Sequence, residues 1–217
     1  MNIEIISKFK RMDTASISDA MDKIGVPCGL LGIKSVIPGK RICGEAFTVH
    51  YVPCGMVKGN VGDFLDDVKP GQVVVIDNNG RDYCTVWGDI MTFTAKHMDI
   101  EGTLIDGVCR DIAGIKEQNY PVFSKNFYMV TGKDRVTVDY VNRPVSVSGV
   151  LICPGDLIIA DDSGAIAVPA GVAEKVLSIA EGIENTEQKI IGEVKNGSTL
   201  KAARAKFGYH HLQTKNV

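Results

Sequence analysis

Residues 72–77 read Gln72-Val73-Val74-Val75-Ile76-Asp77. Four β-branched residues follow one another with no polar alternation. A strand with one wet face would alternate, so this run is expected to be buried on both faces, as in a parallel sheet covered by helices. Pro70-Gly71 supplies a turn ahead of it, and Asn78-Asn79-Gly80 supplies one behind. A second run of the same kind, Thr103-Leu104-Ile105, ends at Asp106-Gly107. Between the two, Tyr83–Val86 reads as extended. Gly88–Met98 then reads as a helix, with Ile90, Met91, Phe93, Thr94 and His97 near one face. Strand, helix and strand in succession predict an α/β fold.

Toward the N-terminus, Ile3–Met12 has roughly helical spacing. Thr14 or Ser16 is placed to cap a second helix through Ile17-Ser18-Asp19-Ala20-Met21. Gly25, Pro27, Gly29 and Gly32 mark a loop, Glu45–Val52 a strand, and Val61–Val68 a short helix. Toward the C-terminus, Ile112–Glu117 is a short helix and Pro121-Val122-Phe123 begins an extended segment. Val136–Val138, Val145–Ile152, Leu157–Ala160 and Ala165–Val168 read as strands. A long amphipathic helix covers residues 171–191, and Lys201–Phe207 is a last helical stretch. Pro154-Gly155 before Leu157 echoes Pro70-Gly71 before Val73, and two similar turns account for it. No linker or low-complexity tract interrupts the chain, so residues 1–217 are read as a single domain.

The 217 residues are 45% hydrophobic with a formal net charge of −2. No basic patch indicates nucleic acid, and the apolar runs are strand-sized, too short to span a bilayer. The N-terminus lacks an apolar core and a cleavage site for secretion, so a cytoplasmic location is expected. Six cysteines without a CxxC pair read as reduced thiols. Four histidines without metal-binding spacing leave oxygen as the ligand type for any metal.

Two segments carry candidate chemistry. Trp87-Gly88-Asp89-Ile90-Met91 follows a strand and opens a helix. The first amides of a helix lack internal partners and attract anions, and a glycine lets a ligand approach the backbone. Asp106-Gly107-Val108-Cys109-Arg110-Asp111 lies at the C-terminal end of a buried strand, where α/β folds place ligands. Arg110 offers a planar fork for a carboxylate or an enolate oxygen, and Asp111 offers oxygens to a hard cation. Each aspartate taken singly also reads as an ordinary helix-terminal cap or charge. Their spacing says more: one helix and one strand separate them, which returns the chain to the same end of the sheet.

Asp89, twenty intervening residues and then Arg110-Asp111 resemble the active-site signature of the class II pyruvate aldolases. These are the 4-hydroxy-4-methyl-2-oxoglutarate / 4-carboxy-4-hydroxy-2-oxoadipate aldolases, related to the regulator of ribonuclease activity A. The resemblance extends to Ile17-Ser18-Asp19-Ala20-Met21, to Gly44-Glu45-Ala46-Phe47-Thr48-Val49, and to Pro154-Gly155-Asp156 through Asp161-Asp162-Ser163-Gly164 and Val168-Pro169. It covers roughly residues 14–209. It implies a layered α/β sandwich with a central mixed β-sheet, resembling the swivelling phosphohistidine-domain fold and assembled as a homotrimer or homohexamer. It also implies a divalent metal, Mg2+ or Mn2+, bound directly by Asp111 and through water by Asp89. Arg110 would contact the 2-oxo acid and its enolate, while amides around Gly88, Asp89, Ile90 and Met91 take the carboxylate. Glu187, with Glu184 as the alternative, would come from the C-terminal helix packed on a neighbouring subunit. The implied activity is cleavage of a 4-hydroxy-2-oxo acid to pyruvate and a second oxo compound, with oxaloacetate decarboxylation on the side. A non-catalytic regulator that binds a ribonuclease or other protein, and a different lyase using the same site, are the alternatives. Gly114 departs from the pattern, which carries an acid there.

Overall fold

The structure, a computed structural model, describes residues 1–56 and 59–212, with His211 described by its backbone alone. Two helices come first, α1 (Ile3–Phe9) and α2 (Thr14–Ile24). A short β1 (Lys34–Ser35) and a long β2 (Ile42–Pro53) follow. Then β3 (Val73–Thr85), α3 (Asp89–His97), β4 (Gly102–Cys109), α4 (Ile112–Gln118) and β5 (Val122–Phe127) alternate as expected of an α/β chain. The second half holds β6 (Val136–Val141), β7 (Val145–Val147), β8 (Val150–Ile152), β9 (Leu157–Asp161) and β10 (Gly164–Val168). Helices α5 (Ala173–Lys195) and α6 (Leu200–Lys206) come last.

Among the described residues, one mixed sheet has the order β1-β5-β4-β3-β2-β9-β10, and β6 also pairs with β2. Strands β2 to β5 run parallel, with Val75 opposite both Thr48 and Leu104. The remaining strands pair antiparallel. Every residue of β4 is buried, because both sheet faces are covered. On one face α3 and α4 bring Ala95 and Ile115 onto Val74, Ile76 and Ile105. On the other, the β7–β8 hairpin brings Val145, Val147 and Ile152 onto Val73, Val75 and Leu104. At the antiparallel end, α1, α2 and α5 pack on β9 and β10 through residues such as Phe9, Ile17, Val176 and Ile183. Each buried side chain of this size contributes about 1.5–3 kcal/mol. No helix among the described residues is long and apolar enough to cross a membrane.

Three local expectations are corrected. Asn78-Asn79-Gly80 does not end β3. Asn79 and Gly80 take φ of 52° and 66° and form a bulge, after which pairing resumes at Arg81 opposite Gly107. The Arg81 guanidinium closes the bulge by donating to the Asn78 carbonyl and side chain and to the Tyr51 carbonyl, each at 3.1 Å. Residues 145–152 form a hairpin rather than one strand, because Ser148 and Gly149 both take positive φ, as tight hairpin turns require. The cap of α2 is Asp13, which accepts from the Ser16 N–H at 2.7 Å. Thr14 instead turns its N–H and hydroxyl to Asp161 at 2.9 and 2.7 Å. Helix α3 buries Thr92 and Ala95 and packs Met91 on the core, while Ile90 and Phe93 are 77% and 64% exposed and His97 stacks on Phe93 at the surface. The inward position is taken by a threonine whose hydroxyl is satisfied internally.

Candidate active site

The ends of β3 and β4 lie side by side, and each leads directly into a helix. The Arg110 N–H donates to the Trp87 carbonyl at 3.0 Å, which ties the two loops together. Gly88 sits at the seam in an extended conformation, so space rather than φ demands glycine there. A Cβ at this position would lie 2.5 Å from Asp111 Oδ2 and 3.4 Å from Arg110 Nε.

Asp111 occupies the cap position of α4 with φ 58° and ψ 42°, and its side chain makes no capping bond. Left-handed backbone at a non-glycine residue costs on the order of 1 kcal/mol and is a recurrent mark of functional positions. Instead of capping its own helix, Asp111 Oδ2 accepts from the Asp89 N–H at 3.3 Å and pairs with Arg110 Nε at 3.3 Å. The capping explanation therefore fails for Asp111. Asp89 is the first residue of α3 rather than its cap. Its Oδ1 accepts from the Ile90 N–H at 2.8 Å, and its backbone carbonyl accepts from Gln118 Nε2 at 3.1 Å. Gly114 lets α4 pass close beneath Asp89, since a Cβ at 114 would stand 3.1 Å from the Asp89 Cβ.

Gly88, Asp89, Ile90, Met91, Arg110 and Asp111 line one cleft of about 240 Å³. With about 30 Å³ per water, that is room for a small organic acid. Asp89 and Asp111 are exposed and Arg110 is half-buried. The site thus offers two carboxylates, one guanidinium and a helix start to a ligand entering from solvent. Burial pushes the Cys109 thiol up to about 11, so it stays protonated and is no nucleophile at neutral pH.

The cleft also includes Val61, Thr85 and Thr131, which sequence reasoning missed. Thr131 arrives because the Thr85 N–H donates to the Val130 carbonyl at 2.9 Å, a contact with no local sequence signal. Glu187 is not among the lining residues of its own chain's cleft. It stands half-buried on α5, and its carboxyl is raised first by burial and then by Asp19, Asp13 and Glu184. The inner face of α5 packs on the same chain through Val176, Leu177, Ala180 and Ile183, while Ile191 and Val194 are exposed. Asp161 and Asp162 are spent on structure: Asp161 holds Thr14 and the Ser163 N–H, and Asp162 holds the Gly39 N–H. Among the described residues, no group of three or more His, Cys, Asp or Glu side chains is assembled to hold a metal.

The mixed-sheet α/β fold thus brings two carboxylates and an arginine together at the ends of neighbouring parallel strands. The chain belongs to the RraA-like family, described as Aldolase/RraA, whose profile matches residues 14–167. Protein DlpA of Legionella pneumophila is 40% identical over 208 residues, which cover 94% of this chain and 34% of that protein. The chain thus spans about a third of that relative's length. A Halalkalibacterium halodurans protein named "Putative 4-hydroxy-4-methyl-2-oxoglutarate aldolase" is 33% identical over 179 residues, covering 82% of this chain and 83% of that one. The crystal structure of an uncharacterized protein from Pseudomonas syringae pv. tomato is 42% identical, with a TM-score of 0.90 over 95% of both chains.

Proposed function

We propose that the protein is a divalent-metal-dependent lyase that cleaves a 4-hydroxy-2-oxo acid to pyruvate and a second oxo compound. The observation that carries this reading is the Asp111 carboxylate: it serves no cap and is held instead against the Asp89 N–H and Arg110 in the wall of an open cleft. The names of the aldolase relatives agree with it.

The donor set fits a hard cation. It is all oxygen, and two carboxylates suit an ion such as Mg2+ or Mn2+ that keeps several waters. The missing Cβ of Gly88 leaves Asp111 Oδ2 the room it needs. Asp111 would hold the ion directly and Asp89 through water; bound there, the ion would polarise the 2-oxo group.

The chain's own groups account for the rest. Arg110 pairs with the pyruvoyl end, and the amides at the start of α3 exchange their present carboxylate partners, Asp111 and Asp89, for the substrate's. The C4 hydroxyl gives its proton toward Asp89. The C3–C4 bond breaks, the C4 carbonyl departs as the second product, and the bonding pair becomes the enolate of pyruvate. Arg110 stabilises that enolate, the kind of preorganised charge that dominates catalysis. The proton taken up from the C4 hydroxyl is delivered back to C3 and completes pyruvate. Oxaloacetate would lose CO2 through the same enolate.

Glu187 lies outside its own chain's cleft, so it acts only across a subunit boundary of a homotrimer or homohexamer. Exposed Ile90 and Phe93 beside the cleft, and Met129 close to Thr131, supply apolar surface for such a contact.

The test is pyruvate release from several 4-hydroxy-2-oxo acids and from oxaloacetate, with and without a chelator. Arg110→Ala should lower the metal-dependent rate at least 100-fold, the size of loss seen when one oxyanion donor is removed. Unchanged release by that variant would sink the proposal.

A further inference from the structure

Thr92 is 0% exposed, and its hydroxyl joins two parts of the cleft. It donates to the Gly88 carbonyl at 2.8 Å and accepts from Trp87 Nε1 at 2.9 Å. The Thr92 N–H donates to the same Gly88 carbonyl at 3.0 Å. That carbonyl belongs to the peptide unit that carries the Asp89 N–H. A trans peptide is planar, and its C=O and N–H point in opposite directions. Two donors from Thr92 on the carbonyl side therefore fix where the N–H side aims. It aims at Asp111 Oδ2, 3.3 Å away, in the cleft lining.

The indole is fixed at the same time. Trp87 lines the cleft, and its ring stacks on Tyr120 with centroids 6.4 Å apart. The Tyr120 hydroxyl is in turn paired with Thr103 Oγ1 at 3.0 Å. Trp87 is thus held on its face by Tyr120 and at its edge by Thr92.

A helix has no need of this hydroxyl. Threonine that bonds back to the carbonyl four residues earlier is slightly unfavourable in helices, and valine has the same shape without the hydroxyl. We infer that Thr92 is the positioning residue of the site: its hydroxyl aims the first amide of α3 at the bound carboxylate and seats the Trp87 wall beside it. This rests on the reading that the α3 amides and Arg110 receive the carboxylate of a 2-oxo acid.

Trp87 is the sole tryptophan of the chain, so its fluorescence reports on the indole that the Thr92 hydroxyl holds. Oxalate, a planar analogue of the pyruvate enolate, is titrated with Mg2+ present into the wild type, Thr92→Ser and Thr92→Val. Pyruvate release and thermal melting are followed on the same proteins. Thr92→Ser keeps the hydroxyl and should bind oxalate within about twofold of the wild type. Thr92→Val should bind about tenfold more weakly, the size of one hydrogen bond to a charged group, with a shifted Trp87 emission maximum and a raised KM. If Thr92→Val does not fold, Thr92→Ala against Thr92→Ser makes the same comparison. Equal oxalate affinity in the hydroxyl-free variant, or failure of Thr92→Ser to rescue it, overturns the role of Thr92 alone. A wild type that binds no oxalate and releases no pyruvate overturns the lyase reading, and this role with it.

Discussion

Asp111 Oδ2 lies 3.3 Å from the backbone nitrogen of Asp89, so a carboxylate at the start of one helix is aimed at the start of another. The two helices follow neighbouring parallel strands, β3 and β4. The relationship needs a glycine at 88 and a left-handed residue at 111, with α4 passing close to Asp89 at Gly114, and each feature can be tested separately.

Gly88→Ala places a methyl 2.5 Å from Asp111 Oδ2. The carboxylate must move by several tenths of an ångström or more. Misplacement on this scale can cost about 100-fold in rate. Pyruvate release should fall by that order, and circular dichroism should show the fold intact.

Asp111→Asn separates conformation from charge. Asparagine tolerates the left-handed region as aspartate does, and the side chain makes no cap whose loss would destabilise α4. Stability should stay within about 0.5 kcal/mol of the wild type, the usual range for substitutions at exposed positions, while metal-dependent turnover is lost. Thermal melting and the pyruvate assay check the two halves.

Gly114→Asp brings a third carboxylate beside Asp89, whose Cβ lies 3.1 Å and Oδ2 3.8 Å from the new Cβ position, so α4 and Asp89 must part by a few tenths of an ångström. A further acid near a metal ligand commonly changes metal affinity by 10- to 100-fold. The concentration of Mg2+ or Mn2+ giving half-maximal activity should fall by about tenfold. An unchanged or higher value would show that the glycine is no deficit of the site.

Glu187 titrates above its ordinary 4.5, first because of burial and then because of Asp19, Asp13 and Glu184. The folded chain therefore holds this proton more tightly than the unfolded chain. Stability falls as pH rises from 4.5 through the raised value, and the loss is complete above it. Glu187→Gln should melt higher than the wild type at neutral pH, with the gap closing below about pH 4.5. If Glu187 serves a neighbouring subunit, the same variant gains stability and loses activity.

Much of this architecture is legible in single segments. The valine-rich run ending at Ile76 and the run around Leu104 carry no polar alternation, and they became fully buried parallel strands. Asp89 and Asp111 were placed correctly at helix starts, because a strand, a turn and a helix are consecutive in the chain. Less legible was the face of α3. The structure buries Thr92 and leaves Ile90 and Phe93 exposed, and the Thr92 hydroxyl finds both partners within five residues.

The sequence by itself determined which residues stand at the ends of which strands, because β-branched runs, turns and helix starts are local. It also determined that two acids and an arginine return to one end of the sheet, because the intervening chain is one helix and one strand long. Only the tertiary structure decided that Asp111 abandons its own helix for the amide of Asp89, that Thr131 joins the wall, and that Glu187 stays out of its own chain's cleft. These outcomes depend on how the two strand-end loops lie against each other and on which face each helix buries. Those are properties of packing between segments distant in the chain, and local pattern carries no record of them.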